Sequence, residues 1–139
     1  MDTSTKKYQE LPLPIGLLGG VRFTKDGKGI FFSQSTPDSS SDVYFMNLAN
    51  RKIERWTESE LGEMQKKDMS TPKLVNWKSF DGLNISGFYY PASTKFSGKR
   101  PVLINIHGGP EGQSMASFLG SNNYFTNEMG VAIIYPNVL

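Results

Sequence analysis

The chain has 139 residues, 15 lysines and arginines against 13 aspartates and glutamates, a formal net charge of +2, and no cysteine. That length suits one ordinary domain and not two large ones, and the lack of cysteine excludes disulfides and thiolate metal sites. The basic residues form no run longer than Lys6-Lys7 and Lys66-Lys67, so a nucleic-acid partner, which needs positive charge gathered on one face, is not expected.

The N-terminal stretch MDTSTKKYQELPLPIGLLGG is broken by Pro12, Pro14, Gly16, Gly19 and Gly20. It has neither the charged start and apolar core of a signal peptide nor the length of a membrane span. A cytoplasmic chain with no membrane partner is the expectation.

From Val21 to Thr57 the pattern predicts four short strands: VRFT, IFFSQS, DVYFMNL and KIERWT. Asp26-Gly27 supplies the positive φ of a tight hairpin, TPDSSS reads as a polar loop, and Ala49-Asn50-Arg51 reads as a turn. DVYFMNL carries Val43 and Phe45 on one face and Tyr44, Met46 and Leu48 on the other, which predicts a strand covered on both sides. KIERWT, more polar, reads as an edge strand. Four antiparallel strands of this kind look like one blade of a β-propeller. No second copy follows at a period of about 40 to 50 residues, and a lone blade needs neighbours to cover its faces.

Residues 59–73 are polar and punctuated by Gly62 and Pro72, which predicts a solvated linker with at most a helical turn. Beyond it, LVNWKSFDGLNISGFYYP reads as two strands about an Asp81-Gly82 turn. RPVLINIHGG is a nearly unbroken apolar run after a proline, the pattern of a strand buried on both faces. SFLGSNNYFTNEMG is compatible with a helix closed by Gly130, and VAIIYPNV reads as a second buried strand. Strand, helix and strand make a parallel, right-handed βαβ unit. Trp56, Trp77 and the phenylalanines read as sheet core, and the scattered methionines suggest no cofactor.

In a parallel sheet, ligands meet the carboxyl ends of the strands. His107, the single histidine, and Gly108 and Gly109 fall at such an end. Two readings stand for the glycines. They can let backbone N–H groups approach and stabilise an oxyanion, a donor worth about 3 to 4 kcal/mol in the transition state; or they can serve a tight turn alone. A phosphate loop is excluded, because no Gly-Lys-Ser/Thr follows.

The strings SFDGLNISGFYYP, KRPVLINIHGGPEGQS and NEMGVAIIYPNV, following the blade in this order, resemble the prolyl oligopeptidase family of serine peptidases, in its acylaminoacyl- and dipeptidyl-peptidase-like branch. The resemblance implies a β-propeller followed by an α/β-hydrolase domain, acting on short peptides through an acyl-enzyme. It divides the chain into the last blade with an N-terminal tail (residues 1–58, the blade from about residue 16), a linker (59–73), and the N-terminal part of the hydrolase domain (74–139). It assigns the oxyanion loop to residues 107–110, with the Gly109 N–H as donor, Gly108 beside it and His107 as loop support. Glu111, at the site mouth, is a candidate for a substrate amine. No metal or organic cofactor is implied, and the rest of the propeller and hydrolase domain is required.

The chain departs from the family pattern in two places. Related chains continue Pro-Asn-Val-Arg-Gly-Ser where this one has Leu139, and the Gly-x-Ser-x-Gly elbow of such hydrolases does not occur. The nearest string, GQSMA at residues 112–116, lacks the second glycine. A local pair of Ser114 as nucleophile and His107 as base is disfavoured, because His107 ends a strand and precedes any elbow. The chain alone is therefore expected to be inactive, its serine, acid and histidine lying beyond residue 139. Alternative readings are a catalytically silent interaction protein on the same fold and a non-peptidase serine esterase.

Overall fold

The computed structural model describes residues 1–139 apart from residues 2, 110 and 139. Its strands form two four-stranded sheets. The first is a simple meander of β1 (Leu17–Phe23), β2 (Gly29–Thr36), β3 (Ser39–Asn47) and β4 (Ile53–Arg55), paired antiparallel in sequence order. The expected sheet is present, with β4 at an edge. Its turns follow the local chemistry. Gly27 adopts φ +69° while the Asp26 carboxylate accepts from the Thr24 hydroxyl at 2.6 Å and from the Lys28 N–H at 3.1 Å. At the next turn but one, Asn47 Oδ1 accepts from the N–H groups of Ala49 and Asn50.

Three local expectations are corrected. The strand expected from Val21 begins at Leu17, and its register shifts between Gly19 and Arg22, where Gly20 at φ +61° allows a bulge. The loop expected over TPDSSS shrinks to Pro37-Asp38, because Thr36 Oγ1 donates to Asp38 Oδ1 at 2.6 Å and leaves Ser39 to Ser41 free to extend β3. The strands are also not equally covered on both faces. Ile30, Phe32 and Met46 form a buried cluster with Leu13, Tyr44 and Ile53 on one face. On the other, Trp56 packs on Phe31 and Phe45, with ring centroids 4.7 and 6.1 Å away, yet is 61% exposed. A single sheet has two faces, and here one forms a buried cluster while the other carries only a partly exposed tryptophan over its aromatic rings.

Inside this sheet lies a buried carboxylate. Asp42 is 1% exposed and accepts from Arg55 Nη2 at 2.6 Å, Ser39 Oγ at 3.1 Å, Thr57 Oγ1 at 2.9 Å and the Ser59 N–H at 2.8 Å. Burial pushes its pKa up, but these donors outweigh burial and hold it at about 2. They tie β3 to β4 and to the start of the connecting segment.

That segment is less solvated than its composition predicts. A 3-10 turn spans Lys66–Asp68, but Met69 and Ser70 are buried, and the Ser70 hydroxyl donates to Pro91 O at 2.6 Å.

The second sheet contains β5 (Lys73–Lys78), β6 (Asn84–Tyr90), β7 (Val102–Ile104) and β8 (Ala132–Asn137), in the order β5-β6-β8-β7. β5 and β6 are the expected hairpin, turning at Gly82 with φ +85°. β7 and β8 pair in parallel, with Val102, Leu103 and Ile104 opposite Ala132, Ile133 and Ile134. β6 and β8 pair antiparallel, so the sheet is mixed. The crossover helix is much shorter than the string 117–130 predicts: a 3-10 turn at Gly120–Asn122 leads into α1 (Asn123–Asn127). Gly120 at φ +56° and the asparagine pair after it interrupt a longer helix. Gly130, at φ +63°, turns the chain back as expected, and the Val131 N–H bonds Phe125 O at 2.9 Å.

The burial of the two parallel strands differs from expectation. β8 sits between β6 and β7, and Ala132 and Ile133 are at most 1% exposed. β7 is an edge, leaving Val102 51% and Ile104 65% exposed. Trp77 and Phe80, expected in the core, are exposed as well, on the outer strand β5 and at the tip of its hairpin. The core of this half is Tyr90, Leu119 and Ile133, with Phe88, Phe125 and Tyr135 packed against it.

Candidate functional site

Because β7 and β8 are parallel, their carboxyl ends lie side by side. The Asn105 N–H extends the pairing by bonding Ile134 O at 2.9 Å, and the chain then leaves the sheet. The glycines follow at once. Gly109 has φ +72°, in the left-handed region where a side chain is strained. Both glycines are exposed. A Cβ built on Gly108 meets nothing within 4 Å, and one built on Gly109 meets only the Glu111 N at 4.0 Å. Their backbone is thus open to an approaching group. Pro110 lies outside the described residues.

His107 packs against the later part of this loop. Its ring lies against Gly112, where an added Cβ would stand 2.7 Å from Nδ1, so glycine is required there for close approach. Nδ1 is 3.5 Å from Gly108 O, and Nε2 is buried with no hydrogen-bond partner among the described residues. Glu111 is exposed on the same loop.

The loop is fastened at its far end by a residue the sequence reading did not single out. Asn137, closing β8, accepts from the Ser114 N–H through Oδ1 at 2.6 Å and donates from Nδ2 to Ser114 O at 3.3 Å. Nδ2 is also 3.5 Å from Ser86 Oγ on β6. Both backbone groups of Ser114 are thereby held. The signal in the sequence was an asparagine at the end of an apolar strand, a polar group that must find partners. Ser114 makes no hydrogen bond with His107 among the described residues, so the local nucleophile–base pair is not assembled.

Beside the loop lies a cavity of about 410 Å³. Its lining includes Asn105 before the loop and Gln113 and Ser114 after it, with Tyr90, Asn122 and Tyr135. Tyr90 is nearly fully buried, and its hydroxyl both donates to Ser117 O and accepts from the Ser117 N–H, each at 2.9 Å. Burial raises its pKa, so it remains a neutral phenol at physiological pH. Among the described residues no three His, Asp or Glu side chains gather in a way that could hold a metal ion. Nor is any helix among them long and apolar enough to cross a membrane.

No protein-family model and no curated protein matches the sequence. Solved structures do match. A puromycin-hydrolysing peptidase of Mycobacterium tuberculosis aligns over 98% of this chain and 22% of its own, at 18% identity and a TM-score of 0.82. An acylaminoacyl peptidase of Pyrococcus horikoshii aligns over 93% of this chain and 20% of its own, at 22% identity and a TM-score of 0.70. A prolyl endopeptidase aligns over 92% and 18%, at 18% identity and a TM-score of 0.73. The chain spans about one fifth of the length of the solved chains it matches. It therefore has the fold of a segment of these peptidases, and the resemblance to the prolyl oligopeptidase family carried by its motifs holds at the level of the fold.

Proposed function

We propose that this chain is a segment of a serine-type peptidase of the prolyl oligopeptidase family, acting on short peptides through an acyl-enzyme. In this reading residues 1–58 are the last propeller blade with its tail, residues 59–73 the linker, and residues 74–139 the first part of the α/β-hydrolase domain. The loop after β7 supplies the oxyanion donor. The observation that carries the reading is the exposed Gly108-Gly109 backbone, at the joined carboxyl ends of two parallel strands.

The chemistry follows from that position. When a serine attacks a peptide carbonyl, the carbonyl oxygen becomes an oxyanion, and a fixed N–H donor stabilises it more than it stabilises the substrate. Gly109 is the donor, Gly108 leaves it accessible, and His107 packed on Gly112 holds the loop's shape. Glu111 is the acidic side chain of that loop available to a substrate amine. The serine, acid and histidine of the reaction come from beyond residue 139, since no Gly-x-Ser-x-Gly elbow occurs within the chain and His107 is the one histidine. A peptide substrate and the remaining propeller and hydrolase structure are the partners this requires.

The test is the coding sequence downstream of the codon for Leu139. A Gly-x-Ser-x-Gly elbow in the same frame, with an acid and a histidine after it, is the expected result. An open frame that continues without them would favour a catalytically silent protein on this fold.

A further inference from the structure

The cavity beside the loop has a lining chemistry of its own. At about 410 Å³ it falls in the size range of small-ligand sites. Among the described residues none of the lining side chains is charged, while Asn105, Gln113 and Asn122 bring three carboxamides to it. Asn122 and Tyr135 form a matched pair: Asn122 Nδ2 donates to the Tyr135 hydroxyl at 2.9 Å. That bond leaves the Tyr135 hydroxyl proton and Asn122 Oδ1 uncommitted among the described residues. If the Asn122 amide is turned over, the roles exchange, but the pair still offers one donor and one acceptor. The apolar walls include Leu17 of β1 and Leu119, just before the 3-10 turn of the crossover, so residues from both halves of the chain line the site.

A donor and an acceptor side by side complement a group that presents an acceptor and a donor on one edge. We infer that this cavity binds an uncharged primary carboxamide carried on an apolar stem, gripped by the Asn122–Tyr135 pair. A carboxylate lacks the donor and would have to be desolvated without a cation; an ester lacks the donor too. The inference rests on the lining alone and not on the oxyanion reading, so either can fail without the other.

The test is equilibrium binding to the full chain, followed by NMR through the side-chain amides of Asn105 and Asn122. Three probes share one stem: N-acetyl-L-phenylalaninamide, the corresponding methyl ester and the free acid. The amide is expected to bind about tenfold more tightly than the ester or the acid, as for loss of one well-formed hydrogen bond. Tyr135→Phe, which keeps the ring packed on Tyr90, removes the donor to the ligand carbonyl and is expected to weaken amide and ester binding alike. Asn122→Ala removes the acceptor for the amide N–H and is expected to reduce amide binding to the ester's level while leaving ester binding unchanged; the two patterns exchange if the Asn122 amide is turned over. N-acetyl-L-glutamine methyl ester carries the carboxamide on a side chain. Binding of it above phenylalaninamide assigns the group to a side chain, and the reverse assigns it to a chain terminus. Equal binding of amide, ester and acid, or no shift at Asn122 with any probe, would overturn the inference.

Discussion

At residue scale two positions decide most. Gly109 sits at φ +72°, where a residue with a Cβ costs about 1–2 kcal/mol and a β-branched one is an outlier. Gly109→Val is therefore expected to move the loop, shifting the amide resonances of Gly108 and Glu111 while leaving those of β8 in place. On the proposed reading, in a longer peptidase carrying this segment the loss falls mainly on kcat, because an oxyanion donor's bond strengthens in the transition state. Full kcat with only a raised KM would reduce the glycines to a turn. Asp42 is the second position. Its folded pKa of about 2 lies below the ordinary carboxylate value, so it contributes stability that is complete above about pH 4. That contribution, about 2 kcal/mol, is lost as pH falls from 4 towards 2. Asp42→Asn should remove the acid-dependent part and take the carboxylate from Arg55 Nη2, which keeps only Glu58 at 3.6 Å from Nη1, costing about 2 kcal/mol at neutral pH. Urea unfolding followed by the fluorescence of Trp56 and Trp77 checks both; an Asp42→Asn variant as stable as the parent at pH 7 would contradict the account.

At the scale of elements, what was legible is what local chemistry controls. The meander of β1 to β4 and the β5–β6 hairpin follow from alternation and from Asp-Gly turns whose glycines take positive φ. The parallel pairing of β7 with β8 followed from two apolar strands joined by a crossover. Burial was not legible, because Val102 to Ile106 has the same composition whether a strand is central or at an edge, and only the strand order decides. The short α1 was half visible in Gly120 and the asparagines. The Asn137–Ser114 clasp joins residues 23 apart in sequence and leaves no local pattern, so the fastening of the loop was missed, whereas its glycines stand together in the sequence. Edge exposure makes its own prediction. Val102→Lys with Ile104→Lys puts charge on the open edge of β7 and should cut binding of a hydrophobic dye severalfold without altering the circular dichroism of the sheets. Unchanged dye binding would locate the exposed apolar surface elsewhere.

For the whole molecule, two half-covered sheets leave Phe23, Trp56, Leu74, Phe80, Ile104 and Ile106 more than half exposed, far from what a monomer usually tolerates. The chain should self-associate, with a sedimentation coefficient that rises with concentration, and a sharp unfolding transition from a dilute monomer would count against that. The central claim is that residues 1–139 carry one part of an acyl-transfer site and neither its nucleophile nor its base. A donor loop alone can stabilise charge but cannot form an acyl-enzyme. The measurement that tests this most directly is reaction of the purified chain with a serine-directed fluorophosphonate, read by intact mass. The account predicts an unmodified chain. A stoichiometric adduct at Ser114 that vanishes in Ser114→Ala would contradict it.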